Sequence, residues 1–430
     1  VVRSLTFESA TRSLFLLLTL IVTFFIASAT LFKQVDVVFY AIILWGIWGY
    51  FKFFPNKVLP KELRVEVYLI WSALLIIFLG LVVTKNWEKL FEFRFQSFRD
   101  TIWVYFIALL FVNYRLNAQT IWKIIVLSGL YALLCSLLIV VEDPTRGTGL
   151  LETPIARGNL GMLFGMLSLL AVLGLKGKRW KLLALITMIS GILLSLLSGS
   201  RGGWLTMLLV FMTLVFLLPK IDRKFNYIIW GIVAALGVVL YLMWHELPVE
   251  KRILQTLNSI QAYMNGNAHT SLGYRFEMWK AAYWAFLEKP LFGWGFDNFN
   301  VYFQKYLNEG LVVGKLWGHP HNDYMLLLSE KGVLGFVIVL SVLLYPFVVM
   351  LKYARKAIQT KQLEKLSLAL TGMVLIEALM EFMLSDQTIT MKFQYHLYVV
   401  LILMIMSALW FYDTESSKIE EEIKDETRSS

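Results

Sequence analysis

Long apolar runs recur from one end of this chain to the other, and all but a short fourth one are about as long as a lipid bilayer is thick. A helix needs roughly 17–25 apolar residues to cross the hydrocarbon core, and about twelve such runs can be marked. They lie near 13–32, 36–54, 66–84, 101–114, 121–141, 159–175, 181–198, 203–219, 227–244, 333–351, 366–384 and 390–411. Hydrophobic residues make up 58% of the 430 positions, against about 45–50% in soluble domains. Inside a bilayer every backbone polar group must find its partner within the protein, so only helices and closed barrels cross. Barrel strands alternate and are only about ten residues long, unlike these runs. The expected fold is an all-α polytopic membrane protein of about twelve transmembrane helices. The first run, long enough to span, reads as a retained helix and not a cleaved signal.

Charge sets the expected orientation. The net charge of +10 does not form a nucleic-acid stripe, because the basic residues sit in short loops between apolar runs. With the N-terminus inside, the cytoplasmic loops carry Lys57, Lys61 and Arg64, then Lys176, Lys178 and Arg179, then Lys220, Arg223 and Lys224, then Lys352, Arg355, Lys356, Lys361 and Lys365. One outer loop, 85–99, breaks the pattern with Lys85, Lys89, Arg94 and Arg99. Trp48, Trp103, Trp122 and Trp410 fall near span ends, where interface anchors belong. The resulting division is helices one to nine over 1–244, a large outer loop over 245–325, helices ten to twelve over 326–411, and a polar tail over 412–430 inside the cell, its acidic part 415–430 expected to be disordered. Within the large loop, 273–289 carries Phe276, Trp279, Ala282, Tyr283 and Phe286 at helical spacing. It reads as an amphipathic helix on the membrane surface, followed by a glycine-rich turn at 292–299. The lone Cys135 can form neither an intrachain disulfide nor a thiolate metal cage.

The polar groups able to do chemistry gather on the outer side. Arg201 stands in "SGSRGGW", and Arg275 opens the 273–289 helix. His319 and His321 sit in "GHPHND", where Asn322 or Asp323 suits a helix N-cap. Each residue has a plain reading as well: a snorkelling arginine at a tight turn, a headgroup contact, a loop histidine, a cap. Arg146 and Arg157 lie in the outer loop 142–158 and can join an anion site or serve as loop charges. Glu377, Glu381, Asp386 and His396 lie along the last two spans, and Asp386 can hold either an arginine or His321. Glu377 reads as a buried, hydrogen-bonded carboxyl. His319 and His321 with Asp323 or Asp297 would make a thin metal site without a thiolate pair or an HExxH helix, so no metal is expected. Taken together, guanidinium forks match phosphate oxygens, and an imidazole can accept a proton near neutral pH.

At these residues the chain resembles the bacterial O-antigen ligase (WaaL) family. That family sits in a wider superfamily with O-antigen polymerases and oligosaccharide-to-protein transferases. The ligase signature is His, then Asn, Ser or Gln, nine residues, then Gly-x-x-Gly/Thr/Tyr; here it is His321, Asn322, residues 323–331, Gly332 and Gly335. Arg201, Arg275 in "TSLGYR", and "LSD" ending at Asp386 match further shared features. The resemblance implies a glycosyltransferase of the bacterial inner membrane with a periplasmic active site and no cofactor. Its donor would be an undecaprenyl-diphosphate-linked glycan and its acceptor a hydroxyl of the lipid A-core oligosaccharide, transferred with inversion. His321 would be the general base. Arg201 and Arg275 would bind diphosphate, with His319, Asn322, Asp386, Arg146 and Arg157 as further substrate-side candidates. The alternatives are a polymerase that extends the undecaprenyl-linked glycan and a non-enzymatic lipid-glycan permease. A permease would line a midplane cavity with charge and use broken helices.

Overall fold

The structure is a computed structural model. It describes residues 21–22, 36–52, 54–86, 88–89, 100–142, 154–198, 203–220, scattered positions between 224 and 241, and 249–429. Among these residues every regular element is helical. They are α1 (Asp36–Lys52), α2 (Lys61–Thr84), α3 (Val104–Tyr114), α4 (Ala118–Glu142), α5 (Pro154–Gly174), α6 (Lys178–Ser198) and α7 (Trp204–Leu217), then α8 (Val249–Met264), α9 (Ser271–Glu288), α10 (Phe299–Asn308), α11 (Asp323–Gln359), α12 (Leu363–Phe382) and α13 (Lys392–Ser429). Five stretches are long and apolar enough to cross a membrane: Lys61–Thr84, Ile155–Gly174, Lys178–Leu196, Asp323–Gln359 and Gln394–Thr414. Val38–Lys52, Thr101–Tyr114 and Trp204–Leu217 are shorter apolar helices. The runs at 13–32 and 227–244 fall largely outside the described residues.

Several helices are apolar on every face, and that is how a multi-pass membrane protein differs from a soluble bundle. Leu75 of α2 and Phe216 of α7 are 56% and 65% exposed, which water would disfavour and lipid tails do not. In α12, by contrast, nearly every residue is buried, so it forms the centre of the bundle. Lipid tails are as apolar as leucine, so close packing must hold such helices together. Gly161 and Gly165 of α5 meet Gly191 of α6 so closely that a Cβ on Gly191 would run into the backbone of both. Trp122 is fully buried and its indole donates to Thr371 Oγ1 at 3.3 Å. It is therefore a packing residue and no interface anchor.

α11, α12 and α13 run alternately up and down. The start of α11 meets the end of α12, where the Asp323 N–H donates to the Met383 carbonyl at 2.8 Å. At the other end Asp413 of α13 binds Lys356 of α11 at 2.7 Å and Lys365 of α12 at 2.5 Å. The basic residues Lys61, Lys176, Lys356 and Lys365 thus share one end of the bundle, opposite His321. α13 does not stop at 411 but continues as helix to Ser429. The expected disorder of the tail is overturned by its own composition: it is rich in good helix formers, and pairs such as Glu420 and Lys424 stand four apart.

The segment 249–321 forms a small helical unit with its own core. Met278, Ala281 and Ala285 of α9 pack on Phe299, Tyr302, Phe303 and Tyr306. This face of α9 packs on protein, whereas of the stripe read from the sequence Ala282 is buried and Tyr283 exposed. The strongly amphipathic helix is instead α8, which leaves Leu254, Leu257 and Met264 exposed.

Candidate active site

α11 explains the spacing of the histidine motif. Asn322 caps the helix, its Oδ1 accepting the Met325 N–H at 3.0 Å. The helix breaks at Gly332, with φ 63 and ψ −171, a region essentially closed to other residues. The break frees backbone groups, and the turn after α9 takes them up. The Val333 and Leu334 amides donate to the Pro290 and Leu291 carbonyls at 2.8 and 3.4 Å. The Trp294 and Gly295 amides donate to the Ser329 and Glu330 carbonyls, both at 2.9 Å. Nine residues, 323–331, therefore measure the distance between the capped end that carries His321 and the clamp on the small helical unit. Glu330 and Lys331, both buried, meet at 3.4 Å, and the Phe299 N–H donates to Glu330 Oε1 at 3.1 Å.

His321 itself has φ 49, a left-handed conformation that costs a non-glycine residue of order 1–3 kcal/mol. His319 supports it by accepting the His321 N–H on Nδ1 at 3.2 Å. Their rings lie 4.2 Å apart, and Trp317 stands edge-on to His321 at 6.1 Å. The His321 Nδ1 meets Asp386 Oδ1 at 3.1 Å, with the two side chains 22% and 12% exposed. With Nδ1 tied to a carboxylate, Nε2 is the nitrogen left to meet a substrate proton.

Asp386 is held by a second device. Asp323 is fully buried and accepts the amides of Thr388 and Ile389 on Oδ2 at 2.6 and 2.7 Å, with Thr390 Oγ1 on Oδ1 at 2.5 Å. The turn after α12 is thereby pinned to the first residue of α11. Asn322 Nδ2 adds a bond to the Leu384 carbonyl at 3.3 Å. Nothing local in the sequence signals this anchor, because Asp after Asn at a helix start already has a capping explanation.

Arg275 is half-buried in the first turns of α9. One turn on, the Trp279 indole donates to the Pro320 carbonyl at 2.9 Å, so the α9 face bearing Arg275 is turned toward the histidine loop. Arg157 sits half-buried in the first turn of α5. Arg201 and Arg146 lie outside the described residues. The Thr206 hydroxyl binds Glu381 Oε2 at 2.8 Å, whereas the Oε2 of Glu377 is buried with no partner among the described residues. His396 is buried against Phe39, stacked at 3.8 Å, and takes no part in the histidine cluster.

His319, His321 and Asp386 offer ligand atoms that all lie within 4.8 Å of one another. The third metal-ligand candidate is therefore Asp386, not Asp323 or Asp297. The first of those is committed to the 388–390 turn, and Asp297 meets Lys89 at 3.7 Å.

A protein of Haemophilus influenzae (strain ATCC 51907 / DSM 11121 / KW20 / Rd), described as an uncharacterized protein, is 26% identical over 278 residues, covering 62% of this chain and 68% of the relative. The family model described as O-antigen ligase matches residues 186–340. That interval holds Arg201, Arg275, the two histidines, the cap and the glycine break, and ends before Asp386. Over this interval the chain is similar to the O-antigen ligase family.

Proposed function

We propose that the protein is an O-antigen ligase, transferring a glycan from undecaprenyl diphosphate to a lipid A-core hydroxyl on the periplasmic face of the inner membrane. The observation that carries the reading is the Asp386–His321 pair at 3.1 Å, at the end of the bundle away from the basic loops. The acceptor oxygen attacks the anomeric carbon from the side opposite the diphosphate, and its proton passes to His321 Nε2. The bond from that carbon to the phosphate oxygen breaks, so the configuration inverts and the electron pair leaves with undecaprenyl diphosphate. Asp386 holds the ring in the tautomer with Nε2 open and then balances the imidazolium charge. Arg275 and Arg201 receive the diphosphate charge as it grows. Donors of this kind are commonly worth about 3–4 kcal/mol each in the transition state.

The proximity of His319, His321 and Asp386 favours one second reading, in which the trio holds a metal. Both are tested with purified protein in nanodiscs, given undecaprenyl-diphosphate glycan and lipid A-core, with and without EDTA. Glycan should appear on lipid A-core and be indifferent to EDTA. His321→Ala should lose the about 10²–10⁴-fold that a positioned base supplies, and Asp386→Asn a smaller part of it. Loss of transfer in EDTA with recovery on added zinc would assign the trio to a metal. Longer glycan left on the carrier would make the protein a polymerase. Absence of transfer by folded protein would leave the permease reading.

A further inference from the structure

At the end of the bundle opposite His321 there is a cavity of about 420 Å³ between α2, α11 and α13, within the size range of small-molecule sites. Its walls are graded. On α2 the lining runs from Lys61 and Glu62 at the helix start to Val65 one turn deeper. On α11 it runs the opposite way along the chain but in the same direction in space, from Tyr345, Val348 and Val349 out to Lys352 and Lys356. Both walls are thus apolar toward the bilayer centre and basic at the rim. The helix from Val333 to Lys352 spans about 29 Å, close to the hydrocarbon thickness of about 30 Å. The basic rim therefore falls at the headgroup level of the leaflet opposite the histidine site.

Among the described residues the charges at the rim are not balanced. Two carboxylates line the cavity, Glu62 and Asp413. Asp413 is shared between Lys356 at 2.7 Å and Lys365 at 2.5 Å, and Lys365 also lies over the Tyr353 ring at 5.5 Å. Lys61 and Lys352 have no carboxylate within ion-pair distance among the described residues. An apolar cleft capped by surplus ammonium groups suits a molecule with an acyl chain and an anionic phosphodiester head.

We infer that the cleft between α2, α11 and α13 binds one anionic phospholipid, its phosphate between Lys61 and Lys352 and its chain along Val65, Tyr345 and Val348. The site is separate from glycan transfer and independent of its mechanism. The test uses the full chain purified in detergent, titrated with phosphatidylglycerol or phosphatidylcholine and followed by native mass spectrometry and melting temperature. One phosphatidylglycerol should be retained and raise the melting temperature, while phosphatidylcholine does neither. Lys61→Gln with Lys352→Gln should weaken retention about tenfold or more, given roughly 1 kcal/mol per lysine near a headgroup. Lys61→Arg with Lys352→Arg should keep it, which guards against a double variant that merely misfolds. Lys178→Gln, an exposed lysine of the same end, should leave it unchanged. Undiminished retention in the glutamine pair, or equal retention of phosphatidylcholine, would overturn the assignment. So would the same stabilisation by millimolar inorganic phosphate alone, which would mark a free-anion site.

Discussion

At the scale of single residues, chemistry depends on which nitrogen or oxygen is left open. His321 has one ring nitrogen engaged by Asp386 at 3.1 Å, which in the proposed mechanism fixes Nε2 as the nitrogen that meets the acceptor. Arg275 is placed differently: it shares a helix face with Trp279, whose indole is fastened to the carbonyl of Pro320. Arg275→Lys should leave turnover well below wild type, because an ammonium is a point charge and cannot grip two phosphate oxygens as a planar fork does. Steady-state transfer kinetics would check this, and a fully active lysine variant would count against a diphosphate role. His321 was legible in the sequence through its fixed distance to Gly332 and Gly335. Asp386 was legible only as a carboxylate with two possible partners. It lies 65 residues further on, and no local pattern reports a contact across two helices.

At the scale of elements, α11 is two helices joined by a glycine. Its first part contributes Leu326 to the core of the small helical unit, and its second part crosses the bundle. Gly332→Ala should cost of order 1–3 kcal/mol from the backbone conformation alone, with more from the clash against the Leu291 carbonyl. The expected readout is a lower melting temperature together with loss of transfer. Asp323→Asn turns one acceptor of the 388–390 amides into a donor, leaving a buried polar group unsatisfied at about 1–3 kcal/mol. Hydrogen exchange at Thr388 and Ile389 should rise in that variant, and transfer should fall because Asp386 is no longer held. Unchanged exchange there would show that the anchor is dispensable.

At the scale of the molecule, the small helical unit must stay folded for its clamp on α11 to act. Glu277 is its electrostatic pivot, accepting Tyr263 Oη at 2.8 Å, Lys280 Nζ at 2.9 Å and the Val313 amide at 2.9 Å. Burial disfavours the charged carboxylate, but these donors and the Lys280 charge outweigh it and hold its pKa below the usual 4.5. The same contact, with burial first, pushes the Tyr263 hydroxyl up to about 12. Because the folded value is depressed, the stabilisation is complete above pH 4.5 and fades as pH falls through the lower folded value. Limited proteolysis of 249–321 should therefore speed up as the pH falls below 4.5, and Glu277→Gln should be more labile at neutral pH with a flatter acid dependence. A wild-type proteolysis rate that does not change with acid would remove Glu277 from this role.

The sequence by itself determined the all-helical, membrane-crossing class, because the length and apolarity of a spanning helix are local properties of a run of residues. It determined the cap-to-glycine spacing around His321 for the same reason: a helical rise is fixed per residue. Only the tertiary structure decided that Asp386 belongs to His321 and Asp323 to the 388–390 turn. It also decided that α9 contributes to a core while α8 does not, and that the ends of α2, α11 and α13 enclose one basic-rimmed cavity. Those outcomes rest on which helices are neighbours, and neighbours are chosen by packing between distant segments, which leaves no periodic trace in either.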